Sequence, residues 1–184
     1  MWAIVSTDDL SSFERGGRLV GVLVAQQFDR DVLNWVFDSW EELHFRSGAN
    51  WHIAVPCSRA PLGNPRPELR DFDPHLSNQL REMYGIAWRD TPVLVLDNFA
   101  DEDRQVYLKI GERESDRKAM FNEMAEFINR RMSESDYPTH NDTARRRMIA
   151  DLYDHMRLRE AGGALLKLAT NAASVAARLL RGGL

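Results

Sequence analysis

Residues 84–96 read YGIAWRDTPVLVL, in which a helix end, a short connection and an apolar strand follow one another. The helix is predicted to begin at Asp73, because aspartate caps helices and Pro74 suits the first helical position. It is predicted to end at Gly85. The strand begins at Pro92, a position where the missing proline N–H does least harm. The centre of the chain is therefore predicted to be a helix followed by a strand.

Apolar segments on either side extend this pattern. Residues 19–25 are typical of a strand with both faces buried, and residues 51–55 predict a second strand that Pro56 stops. Between them, apolar residues at helical spacing predict one helix from Asp29 to Gly48. Residues 105–110 alternate polar and apolar side chains, which predicts an antiparallel strand, and one more helix follows it.

The predicted order from Leu19 to Met132 is strand, helix, strand, helix, strand, strand, helix. This order, with Thr91 and Pro92 at the start of the third strand, resembles the thioredoxin fold. The resemblance implies an α/β domain with a βαβαββα mixed sheet flanked by helices, and it implies a cis peptide bond at Pro92. A C-terminal helical pair is predicted to follow this domain.

The chain departs from thioredoxins at the start of the first helix, where that family carries Cys-x-x-Cys. The corresponding residues, 26–31, read QQFDRD and contain no cysteine, serine or threonine. Cys57 is the only cysteine in the sequence. Two-cysteine disulfide exchange is therefore excluded, and so is one-cysteine glutaredoxin-like chemistry at that position.

The predicted topology brings three loops to one end of the sheet, because the parallel strands end there and the antiparallel third strand begins there. The residues expected to line a ligand or partner crevice at this end are Gln26, Gln27, Phe28, Asp29, Arg30, Cys57, Arg59, Thr91 and Pro92. Cys57 has two interpretations. It is either a reactive thiol, activated by Arg59 or a neighbouring histidine, or an inert residue at a strand end. No other catalytic residue is predicted.

Composition limits the class of protein. One cysteine among 184 residues allows no internal disulfide and no thiolate-rich metal site. The five histidines show no metal-ligand spacing, so neither a metal nor a cofactor is predicted. A net charge of -4 argues against coating of nucleic acid. Because the sequence shows no signal peptide and no stretch of about 18 uninterrupted apolar residues, a cytoplasmic location is expected.

Charge and composition divide the chain into four parts. Residues 1–18 form an N-terminal segment with room for an extra strand, residues 19–132 the thioredoxin-like domain, and residues 133–141 a polar linker. Residues 142–184 are predicted to form a basic amphipathic helical hairpin. They contain eight basic and four acidic residues, whereas the rest of the chain contains 16 basic and 24 acidic residues.

Residues 164–181 predict a helix whose polar side chains all lie on one stripe. Its apolar face is predicted to be a docking face formed by Leu165, Leu168, Ala172, Val175 and Leu179. Two interpretations remain open. The alanine-rich face favours packing on the body or on a partner, and the cationic stripe also suits a helix that lies on a membrane surface.

These patterns predict a redox-inactive thioredoxin-like protein that acts as a partner-binding or assembly module, a scaffold or adaptor. The C-terminal helices would mediate its oligomerisation or docking. Many thioredoxin-like domains without the dithiol serve in this way, which is what the resemblance implies. One alternative is a single-cysteine thiol enzyme that uses Cys57 for peroxide or glutathione chemistry. Another is a peripheral membrane protein anchored by its C-terminal helix. A protein partner or a homo-oligomer is expected, and nucleic acid is not.

Overall fold

The computed structural model describes residues 1–15, 19–47, 51–59, 66–97, 106–133 and 143–158. Within these ranges the chain contains both strands and helices. In chain order they are β1 (Trp2–Ile4), α1 (Leu10–Arg15), β2 (Leu19–Val24), α2 (Arg30–Asp38), α3 (Trp40–Ser47), β3 (Trp51–Pro56), α4 (Pro74–Met83), β4 (Val93–Asp97), β5 (Val106–Lys109), α5 (Glu114–Met132) and the helical residues 143–158, here α6.

The strands form one mixed sheet in the order β1-β3-β2-β4-β5. β1, β3 and β2 are parallel to one another. β4 is antiparallel to β2, and β5 is antiparallel to β4. The predicted α/β class and mixed sheet flanked by helices are confirmed at this level. The strand in the N-terminal segment, for which the sequence left room, is β1 at one edge of the sheet.

The side chains of the strands alternate between two buried faces of the sheet. On one face α2, α3, α5 and α6 cover a core that includes Leu23, Ile53, Leu94, Met124 and Leu152. On the other face α1 and α4 cover a second core that includes Val22, Ala54, Leu76, Leu80 and Val95. Because the same strands supply both cores, the sheet is buried on both sides, as its continuous apolar runs predict.

The prediction of a single helix from Asp29 to Gly48 is wrong. Two helices occupy this range, and Ser39, with φ -90° and ψ 11°, lies between them. Aspartate and serine at the junction compete with helical hydrogen bonding, and the Trp40 ring stacks on Phe37 with 5.9 Å between ring centroids. Helix α1 was not predicted, because the apolar residues in segment 1–18 show no clear helical spacing.

The structure describes both ends of the long segment after β3, residues 57–59 and 66–73. Pro56 belongs to β3, and Cys57 then pairs with Phe72 in an isolated antiparallel bridge. Leu69–Asp71 form a short 3-10 turn between them. The described ends of this segment are therefore pinned to each other beside the end of β3.

Helix α6 belongs to the body of the protein. Its buried apolar side chains are Met148, Ile149, Leu152 and Met156, which extend the first core. Polar contacts also join α6 to α5. Arg131 Nη2 lies 2.9 Å from Asp151 Oδ2, and His155 Nε2 lies 2.6 Å from Glu123 Oε1. The first helix of the predicted C-terminal pair therefore packs on the body.

The rest of the predicted C-terminal pair lies outside the described residues, and this includes the docking face from Leu165 to Leu179. Most of the predicted linker, residues 134–141, lies outside them as well. In the part of the chain that the structure describes, no helix combines the length and apolar character needed to cross a membrane.

Candidate functional site

The loops that follow β1, β2 and β3 lie at the same end of the sheet as the start of β4, because β1, β2 and β3 are parallel and β4 is antiparallel to β2. The pairing of Val24 with Val93 places Ala25 beside Pro92. We call this region the loop edge and define it as residues 5–9, 25–31, 57–59, 69–73 and 88–92. Ligand and partner sites favour such edges in open α/β sheets.

The loop after β2 is held by two sets of hydrogen bonds. The buried Ser77 hydroxyl donates to the Ala25 carbonyl at 2.7 Å and accepts from the Ala25 N–H at 3.1 Å. The Asp29 carboxylate accepts from the Gln26 N–H at 2.7 Å, and the Asp29 N–H donates to the Gln26 carbonyl at 2.9 Å. Asp29 thus occupies the N-cap position of α2, but its side chain closes the preceding turn instead of capping the helix.

An exposed aromatic pair dominates the surface of the loop edge. The rings of Phe28 and Trp88 lie 5.7 Å apart between centroids at an interplanar angle of 51°. Phe28 is 63% exposed and Trp88 is 52% exposed. The Arg81 guanidinium lies 5.5 Å from the centroid of the Trp88 ring, within cation–π range. The pair therefore joins the loop after β2 to the segment before β4.

Hydrogen bonds fix the Trp88 segment in place. Arg81 Nη1 donates to the Ile86 carbonyl at 2.9 Å, and the Thr91 hydroxyl donates to the Trp88 carbonyl at 2.9 Å. Lys109 Nζ lies 3.2 Å from Asp90 Oδ1 and so ties the segment to β5. The backbone that carries Trp88 is therefore held in position.

The peptide bond between Thr91 and Pro92 is cis. Both residues are partly buried, and the Pro92 carbonyl accepts from the Ile110 N–H at 3.1 Å. Pro92 precedes β4 and is not its first residue, since β4 begins at Val93.

Cys57 lies beneath the loop edge and has no exposed surface. Its N–H donates to the Ile4 carbonyl at 2.8 Å, which extends the pairing of β3 with β1. Burial raises the pKa of the Cys57 thiol to about 12, and the charges of Asp71 and Asp73 act in the same direction. A thiol with this pKa is protonated near neutral pH, so Cys57 matches the inert interpretation of the sequence.

Arg59 forms an ion pair with the Asp71 carboxylate and not with the Cys57 thiol. Arg59 Nε donates to Asp71 Oδ1 at 2.8 Å, and Asp71 Oδ2 accepts from the Glu68 N–H at 2.9 Å. The hydrogen bond from the Glu68 backbone, followed by the bond from Arg59, lowers the pKa of Asp71 against the opposing effect of burial. The ion pair between Arg59 and Asp71 thus joins the two described ends of the segment after β3.

The structure gathers the predicted crevice residues at one edge, but not all of them reach its surface. Gln27, Phe28 and Arg30 are exposed, whereas Gln26 and Cys57 are buried. Trp88 was not predicted as a site residue. The signal that points to it is a large aromatic side chain in the short connection between α4 and Thr91.

No group of three or more histidine, cysteine, aspartate or glutamate side chains is arranged to bind a metal ion in the described ranges. Comparisons with protein-family models, curated proteins and solved structures found no match. The function is therefore argued from the residues of the loop edge themselves.

Proposed function

We propose that this protein is a redox-inactive binding module of thioredoxin-like architecture, whose loop edge holds a protein partner. The strand order, with a hairpin that follows two parallel strands, supports this assignment. The cis bond before Pro92 also agrees with it. The segment after β2 offers no thiol or hydroxyl side chain for covalent chemistry.

The exposed aromatic pair is the observation that carries the proposal. If a partner removes about 100 Å² of each ring from water, the hydrophobic contribution to the binding free energy is roughly 2–3 kcal/mol for each ring. Aromatic side chains are enriched at protein interfaces, and tryptophan is among the residues that most often contribute a large share of the binding energy. Val5 and Leu69, which are also exposed, come from neighbouring loops of the same edge.

The loop edge also has the rigidity that such a site needs. Ser77 holds the backbone below Phe28, and Arg81 holds the backbone below Trp88. A surface that is already ordered loses little conformational entropy when it binds a partner. Binding therefore does not require the two loops to fold first.

Cys57 gives little support to the single-cysteine thiol enzyme, because its thiol is buried and its pKa is raised. The membrane-surface alternative depends on residues 164–181, which lie outside the described residues, so it stays a prediction. An assembly role for those residues is compatible with a partner at the loop edge.

The test is affinity capture from the native host with the full chain, followed by reconstitution of any captured protein from purified components. We expect Phe28→Ala and Trp88→Ala each to weaken binding of that protein by about tenfold or more. Phe45→Ala is the matched control, because Phe45 is 85% exposed on α3, outside the loop edge. Equal binding by all four proteins would contradict the proposal.

A further inference from the structure

We draw no further inference here: the strongest candidate, the exposed ring pair of Phe28 and Trp88 on the surface of the loop edge, carries nothing beyond the proposed function, because nothing in the structure shows what covers it.

Discussion

A single small side chain, Ser77, holds the start of the loop after β2. Its hydroxyl bonds both the N–H and the carbonyl of Ala25, which lies just beyond β2. A strand end normally leaves these groups to water, and a buried backbone group without a partner is costly. Ser77 satisfies both of them from α4, so the next residues can turn sharply and leave Phe28 at the surface.

Cys57 illustrates how burial decides the chemistry of a residue. Its pKa rises from 9.0 to about 12, so at pH 8 the thiolate fraction is about a thousandfold lower than for an unperturbed thiol. We expect iodoacetamide to alkylate Cys57 at least a hundredfold more slowly in the folded protein than in urea. Mass spectrometry of timed samples gives both rates. The folded-state rate should still be rising at pH 10, because the thiolate continues to form up to the raised pKa.

Labelling of the folded protein at the rate of a free thiol would contradict this placement of Cys57. It would also restore the single-cysteine enzyme as a hypothesis. Cys57→Ala supplies the background rate, since Cys57 is the only cysteine in the chain.

Among the elements, α4 links the core to the loop edge. Asp73 caps it by accepting from the N–H groups of His75 and Leu76 at 2.8 and 3.0 Å. Leu76 and Leu80 fill the second core, while Ser77 and Arg81 hold the two loops that carry the aromatic pair. Because of the helical spacing, one pair of side chains of α4 packs in the second core and another pair holds the two loops in position.

Helix α6 permits a matched test of docking, because one of its leucines is buried and another is exposed. Leu152 is fully buried in the first core, whereas Leu158 is 74% exposed. Leu152→Ala is expected to lower the free energy of unfolding by about 2–4 kcal/mol through lost contacts and a cavity. Leu158→Ala should change it by less than about 0.5 kcal/mol. Urea titrations of the two variants measure both values, and similar losses would mean that α6 does not dock as described.

At the scale of the whole molecule, the parts that the sequence predicts well are those that depend on local patterns. The strands β2, β3 and β4 follow from apolar runs, and α4 follows from its cap. The break at Ser39 was missed because the apolar residues of α2 and α3 keep a helical spacing across it. Trp88 was missed for a different reason, since its role comes from a ring contact with Phe28, which is distant in the chain.

The two cores share one sheet, and this predicts how the molecule unfolds. Val22 and Leu23 are neighbours in β2, yet they belong to opposite cores, so neither core can be lost without exposing the strand that supports the other. We expect a single cooperative transition in urea, with coincident fluorescence and circular dichroism curves. Leu80→Ala in the second core and Met124→Ala in the first should each lower the midpoint of that whole transition. A variant that splits the curve into two steps would show that the faces unfold independently.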